Sequence, residues 1–171
     1  LIHPRDPGTP GRADRMAVLD VATFLEPIRP DQPSGPELKY NTDPAVAAAK
    51  KLYDECEEAR RSDEDSANVG AWKRDVKVAD WRKASELAQT LLKSHTKDLQ
   101  VTAWMIEALT HRQGLDGLHD GLQVFQALLE TFWETIHPQP DPDDGSLYYR
   151  EGVYESLDAE RILPLLIRKL P

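Results

Sequence analysis

Five histidines (His3, His95, His111, His119 and His137) and one cysteine, Cys56, are the side chains here best suited to hold a metal or act as nucleophiles. Their spacing does not gather them. No pair stands four apart as H-x-x-x-H, no HExxH occurs, and Cys56 has no C-x-x-C partner. His111 and His119 flank a glycine turn, so they share no helix face. Capping or solvent-exposed roles suit these imidazoles better than ligation. The stretch "DPDDG" (141–145) has the composition of a calcium loop, but it lacks the D-x-[DN]-x-[DN]-G spacing and the closing glutamate. It reads as a solvated turn.

Phosphate chemistry fares no better. There is no P-loop, no G-x-G-x-x-G and no G-x-S-x-G. Gly114, Gly117 and Gly121 fall at a junction between two helices, where they suit a tight turn and close helix packing. Paired acids such as Glu57 and Glu58 sit on a charged helix face and are usually just solvated there. The sequence therefore gives no reason to expect an enzyme, a metal or a cofactor.

The elements that would carry these residues are helical. Residues 17–26 predict a short helix ending before Pro27. Residues 27–44, "PIRPDQPSGPELKYNTDP", contain five prolines and predict an extended segment, because proline fixes φ and restricts its predecessor. Asp43-Pro44 then reads as an N-cap with proline at the first helical position, opening a helix over about 44–61. "RRSDEDSANVG" (60–70) reads as an acidic loop.

Asp80 caps a strongly amphipathic segment in which Trp81, Ala84, Leu87, Ala88, Leu91 and Leu92 recur at three- and four-residue steps. Asp98 caps the next helix, about 99–112. There Leu99, Val101, Trp104, Met105, Ile106 and Leu109 point in nearly every direction, which places that helix at the centre. Gly114 ends it. A third helix, about 116–136, sets Leu118, Leu122, Phe125, Leu129, Phe132, Trp133 and Ile136 on one stripe, with Pro138 as its stop. Residues 147–157 and 160–169 predict two shorter helices. No strand pattern appears. The expectation is an all-α fold: a single bundle of about six to seven helices behind a proline-rich extended segment.

Length and charge bound the rest. At 171 residues the chain fits one ordinary domain, and its 40% hydrophobic and 30% charged residues exclude a disordered chain. No apolar run nears the ~20 residues of a membrane span. A net charge of −9 argues against general nucleic-acid binding, which rests on neutralising phosphates. A lone cysteine suits a reducing compartment, so the cytoplasm is expected. Residues 1–15 form a Pro/Gly/Arg-rich arm or cloning remnant, and the folded domain is expected over 16–171.

Trp81, Trp104 and Trp133 fall on apolar stripes and read as packing residues. Trp72 differs: it lies in "AWKRDVKVADWRK" (71–83), which has five basic residues against two acidic. A basic aromatic patch on an acidic protein is either a docking site or a loop folded onto the bundle. A weak echo also relates Trp81, Leu87, Leu91 and Leu92 to Leu118, Val124, Leu128 and Leu129 at an offset of 37. Helix-pair repeats have periods of this order. A tetratricopeptide-like adaptor is therefore the alternative reading.

The order of motifs resembles the ImpA-type N-terminal domain that leads TssA-type proteins of the bacterial type VI secretion system. The resemblance runs from about Leu19 to Pro171. It rests on "PSGPELKY" with its following aspartate, "DW" at Asp80 and Trp81, "KDL-x-V-x-x-W" through Asp98, Leu99 and Trp104, "GLDGLHDGL" with its three glycines, and "W-x-x-x-HP-x-P-D" through Trp133, His137, Pro138 and Pro140. The chain has Gln100 where the family often has arginine, and Ala-Val after Asp43-Pro44 where an aromatic or leucine is frequent.

The resemblance implies a non-enzymatic helical module, truncated from a longer cytoplasmic assembly factor. Its implied partners are baseplate, tube or sheath proteins, with self-association through C-terminal regions, and with neither nucleic-acid binding nor membrane insertion. Two segments are the expected recognition surface: Pro33, Gly35, Leu38, Lys39 and Tyr40 in the first, and Trp72, Lys73, Arg74 and Lys77 in the second. His137 is expected to clamp the chain by bonding a helix-terminal carbonyl or an acidic neighbour.

Overall fold

Aspartates fix where the helices begin. In the computed structural model, which describes residues 19–61, 77–157 and 162, the Asp43 carboxylate accepts from the Ala45 N–H at 2.8 Å. A 3-10 turn, Pro44–Val46, leads from it into helix α1, Ala47–Arg60. Asp80 accepts from the Lys83 N–H at 2.9 Å and opens α2, Trp81–Ser94. Asp98 accepts from the N–H groups of Gln100 and Val101 and opens α3, Leu99–Gln113. Each cap satisfies donors that have no partner inside their own helix.

Helix α3 is the axis of the molecule. Eleven of its residues, all within Leu99–Thr110, are buried. Helices α1, α2, α4 (Leu115–Phe132) and α5 (Tyr148–Leu157) all pack on it. Its buried hydroxyls bond back along the helix, Thr102 to the Asp98 carbonyl and Thr110 to the Ile106 carbonyl, each at 2.7 Å. At Gly114, φ is +63° and ψ −135°, a conformation essentially reserved for glycine, and this single residue joins α3 to α4. Gly117 and Gly121 then let the two helices approach. A Cβ at Gly117 would stand 2.2 Å from the Leu109 carbonyl oxygen, and one at Gly121 would stand 2.8 Å from Ile106 Cγ1.

The fold is all-α, and its only bridge among the described residues is an isolated parallel contact between Asp98 and His137. The helix inventory differs from the expected six to seven. Five α-helices and two 3-10 turns are present among the described residues. The segment expected as a first helix is only the four-residue 3-10 turn Val21–Phe24, capped by Asp20, with Phe24 as its buried anchor. The last expected helix lies outside the described residues except for the helical Ile162. The 37-residue echo marks α2 and α4, the two helices that flank α3.

Helix α4 corrects the sequence reading most clearly. It ends at Phe132, six residues before Pro138, and residues 133–135 turn. Its buried face is Gly117, Gly121, Val124, Phe125, Leu128 and Phe132, while Leu122 is 44% and Trp133 43% exposed. The rest of the expected stripe points inward: Phe125, Phe132 and Ile136 are buried, and Leu118 and Leu129 pack against the core.

The proline-containing segment 27–44 is not simply extended. It turns on hydrogen bonds from Ile28 N–H to the Pro33 carbonyl and from Gly35 N–H to the Gln32 carbonyl, then crosses the α2–α3 junction as a strap. The Lys97 N–H donates to the Ser34 carbonyl at 2.7 Å, the Thr96 hydroxyl to the Pro36 carbonyl at 2.8 Å, and the Ser34 and Thr135 hydroxyls pair at 2.8 Å. Lys97 is fully buried beneath it, donating to the carbonyls of Phe24 and Leu92, and burial pushes its ammonium down to about 8. The described residues contain no helix long and apolar enough to cross a membrane.

Candidate functional site

The strap, the N-terminus of α3 and the loop 136–142 converge at one end of the bundle. They enclose a cleft of ≈ 520 Å³, closed on its other sides by Tyr53 of α1 and by Tyr149 and Val153 of α5. That size lies within the range of small-ligand and side-chain pockets.

Its floor is made by backbone pairing. The Leu99 N–H donates to the His137 carbonyl at 2.8 Å and the His137 N–H to the Lys97 carbonyl at 3.0 Å, which locks the loop beside the cap of α3. The His137 imidazole then reaches across, with Nε2 3.0 Å from the Gly35 carbonyl oxygen. A carbonyl only accepts, so Nε2 is the donor of this contact. Nδ1 is buried and has no partner among the described residues. The expected clamp therefore exists, but its acceptor is a strap carbonyl rather than a helix end or an acid.

Two further buried groups share this floor. Asp98 is 4% exposed, and both of its hydrogen bonds fall on Oδ1. Burial pushes its carboxyl up to about 6, against the pull of the helix N–H bonds and of His137, and the Glu37 charge adds to the rise. The Tyr53 ring packs on Trp104 with centroids 4.9 Å apart, while its hydroxyl is buried and unpartnered. Burial, followed by the Asp98 charge, raises that hydroxyl well above its ordinary value. An unsatisfied buried polar atom costs about 1–3 kcal/mol, so such atoms mark places where structure alone does not account for the residue.

The rim is aromatic and exposed. Tyr40 is 74% exposed, with Lys39 Nζ 5.1 Å from its ring centroid, and Tyr149 is 53% exposed, edge-on to Tyr148. Pro138, Pro140 and Gln139 complete the wall, the amide of Gln139 being tied to the Ile136 carbonyl at 2.8 Å. Beneath the loop lies Arg150, 2% exposed. It donates from Nε to the Pro138 carbonyl and from Nη2 to those of Trp133 and Ile136, and its guanidinium sits 4.5 Å from the Trp133 ring centroid. Burial draws its pKa below the ordinary value. Arg150 thus ties the chain that follows α4 to the loop carrying Pro138.

Of the first expected recognition segment, Gly35 and Leu38 are buried and Pro33 is half-buried. Gly35 has φ +66°, and a Cβ there would stand 2.4 Å from the His95 carbonyl oxygen. These residues hold the strap down, and of the five only Lys39 and Tyr40 are exposed. In the second segment, Trp72, Lys73 and Arg74 lie outside the described residues. Lys77 is engaged at the end of α1, pairing with the Glu58 carboxylate and donating to its carbonyl at 2.7 Å.

Asp80, Trp81, Leu99 and Trp104 take structural places, with Trp81 stacked on His111 at 3.8 Å. In the 141–145 turn, Asp141 and Asp144 accept from the N–H groups of Asp143 and Ser146, and the second bond holds the Asp144 carboxyl below its usual range. Among the described residues, no group of three or more His, Cys, Asp or Glu side chains is placed to hold a metal. A second hollow, on the outer face of α1, is lined by charges that pair with one another, Lys51 with Glu55 and Arg61 with Glu57.

Sequence reasoning passed over Tyr149 and Arg150. Arg150 did leave a signal, standing three residues before Val153 and seven before Leu157 on the buried side of α5.

Comparison with known proteins follows the same lines. The family model described as ImpA, N-terminal, type VI secretion system matches residues 25–161. The type VI secretion system component TssA1 of Pseudomonas aeruginosa strain PAO1 is 29% identical over 150 residues, covering 87% of this chain and 40% of that protein. A solved structure, the N-terminal domain including the conserved ImpA_N region of the TssA component from Burkholderia cenocepacia, superimposes with a TM-score of 0.61 at 29% identity. It covers 84% of this chain and 49% of that one. The chain thus spans less than half the length of the relatives it matches.

Proposed function

Since the chain belongs to the ImpA N-terminal family of type VI secretion proteins, we propose that it is a non-catalytic docking domain that receives other secretion components at the strap end of its bundle. The observation supporting this is the contrast between core and rim. Phe24, Trp104, Phe125 and Phe132 are buried, whereas Tyr40 and Tyr149 stand exposed on either side of a cleft whose floor is rigidly hydrogen-bonded. Exposed tyrosines on a fixed base are efficient interface anchors, because two torsions are all they lose on binding.

Within the secretion machine this docking would serve baseplate attachment and the assembly of tail tube and sheath, in the cytoplasm. Self-association of the full-length protein is assigned to regions outside this domain. A binding role fits the floor better than catalysis, since the surroundings push Asp98 and Tyr53 toward their neutral forms.

The test is capture of purified tube, sheath and baseplate proteins from the same secretion system by the immobilised chain. The double variant Tyr40→Ser/Tyr149→Ser should keep the wild-type melting temperature and lose at least about tenfold in affinity for one component, the scale of removing interface anchors. Wild-type chain that captures none of them overturns the reading.

A further inference from the structure

Residues 20–36 touch the bundle through few polar contacts. Inside the segment the bonds are local: the Thr23 N–H to the Asp20 carbonyl, Ile28 to Pro33, Gln32 to Arg29 and Gly35 to Gln32. Among the described residues, every hydrogen bond that leaves it ends on Thr96, Lys97, Thr135 or His137. Lys97 makes two of those five, from its N–H to the Ser34 carbonyl and from Nζ to the Phe24 carbonyl. It is the latch of the segment, and the buried Phe24 ring is the apolar anchor beside it.

The latch carries a charge that its surroundings do not balance. Lys97 is fully buried, and Nζ also donates to the Leu92 carbonyl and lies 5.4 Å from the Phe132 ring centroid of α4. Glu26, on the segment itself, favours the ammonium but is exposed. On α2, Lys93 is a like charge, set 4.5 Å from the Phe24 ring centroid. On α3, Asp98 directs Oδ1 to its cap bonds, and in the following loop His137 is directed to the Gly35 carbonyl. Burial wins and pushes the ammonium down to about 8. A neutral amine keeps two N–H groups, enough for both carbonyls, so the closed segment loses no bond when the proton leaves. Water, by contrast, favours the charged form.

We propose that residues 20–36 form a clasp that swings away as one piece while the helices stay folded, and that a proton taken up by Lys97 favours the open form. Units with few attachments open at free energies below that of global unfolding. The sign follows from the two environments. In the open clasp Lys97 is solvated and titrates near its ordinary 10.5, whereas the closed clasp resists the proton down to about 8. Lowering the pH from 9 to 7 therefore raises the opening constant, by about tenfold. Opening parts Ser34 from Thr135 and Gly35 from His137, and with them one wall of the cleft assigned above to docking. A bound secretion component should then hold the clasp shut, a consequence that rests on the docking reading.

Amide hydrogen exchange of the whole chain, corrected for intrinsic rates, is the test. The amide at position 97, bonded to the Ser34 carbonyl, should exchange faster than those of Met105 and Ile106 in the buried α3. Its protection should fall about tenfold from pH 9 to pH 7. Lys97→Met should abolish that dependence. Ser34→Ala leaves the latch in place and should lower protection at position 97 several-fold, with Met105 and Ile106 unchanged. If Lys97→Met does not fold, the parent's pH dependence and Ser34→Ala decide the matter.

An amide at position 97 that exchanges in step with Met105 and Ile106 overturns the separate opening. Equal protection at pH 7 and 9 overturns the proton linkage. If the exchange behaves as stated while a captured tail component gives position 97 no added protection, the clasp stands and docking at this end of the bundle falls.

Discussion

A glycine-to-alanine series separates helix propensity from helix approach within one molecule. Gly152 lies in α5 with nothing within 4 Å of the place an alanine methyl would occupy, so Gly152→Ala should gain close to the full propensity difference, about 1 kcal/mol. At Gly121 the same gain opposes a contact of 2.8 Å with Ile106 Cγ1, the branch of a side chain that can rotate. Overpacking of this kind costs about 1–3 kcal/mol, so the net change should run from zero to about 2 kcal/mol of destabilisation. At Gly117 the methyl would stand 2.2 Å from the Leu109 carbonyl oxygen, which is backbone and cannot rotate away. Helix α4 has to back off there, and the loss should reach about 3 kcal/mol or more, at the top of the overpacking range. For a domain of this size each kcal/mol moves the melting temperature by roughly 2–4 °C. Thermal unfolding followed by circular dichroism should thus rank Gly152→Ala above the parent, Gly121→Ala at or below it, and Gly117→Ala lowest by roughly 6–12 °C. Equal melting temperatures for the Gly117 and Gly152 variants would refute the close α3–α4 contact and the packing role assigned to these glycines.

Asp98 makes a pH prediction whose sign is opposite to that of most carboxylates. Its folded value, pushed up to about 6 by burial, lies above the ordinary 3.8. It therefore favours folding below pH ~4 and loses that contribution as pH rises through ~6, a swing of no more than about 2–3 kcal/mol. Asp98→Asn keeps an N-cap of equal quality and removes the titration. Urea midpoints should show the parent falling behind the variant between pH 4.5 and 7, and parallel curves would sink this account. Arg150→Met strips the partners from three carbonyls and should cost about 3 kcal/mol or more, with Arg150→Lys recovering only part; a melting temperature within 2 °C of the parent by the roughly 2–4 °C per kcal/mol scale contradicts it. Trp133→Ala should cost only about 1–2 kcal/mol, since the ring is 43% exposed and gives up a cation–π contact rather than a core site; a loss of about 4 kcal/mol, typical of a buried ring, would restore the core assignment.

What was legible in the sequence is what short-range physics decides. Asp43, Asp80 and Asp98 were readable as caps because a carboxylate two or three residues before free N–H groups has one obvious use, and α1, α2 and α3 begin beside them. The apolar circumference of α3 announced a central helix. Gly114 announced its end. Close packing at Gly117 and Gly121 was legible too, and only Leu122 and Trp133 of the expected α4 stripe turned out to be exposed. The stop of α4 was misread because Arg150, seventeen residues beyond Trp133, holds the carbonyls that let the helix end early. The cleft needed contacts farther off still: His137 meets Gly35 across a separation of 102 residues, and no local pattern encodes that meeting. In the strap motif expected to carry recognition, Gly35 and Leu38 are buried, while Lys39 and Tyr40 stand outside.

The placement of chemistry at this end of the bundle has a physical cause. Helix ends are where backbone groups lack partners, and here the start of α3, the end of α4 and the turn after α2 arrive together. Satisfying them recruits polar side chains into buried positions: Asp98 for N–H groups, and Lys97 and Arg150 for carbonyls. Lys97 and Arg150 are used up by that task. Asp98 has an oxygen outside its cap bonds, while among the described residues the His137 ring nitrogen Nδ1 and the Tyr53 hydroxyl have no partner, and all three residues line the cleft. The cleft has a rigid base because the strap, α3 and the 136–142 loop are bonded to one another. Loosening the strap with Ser34→Ala, which removes its hydroxyl pair with Thr135, should accordingly weaken capture through the tyrosine rim without touching any residue that meets the partner.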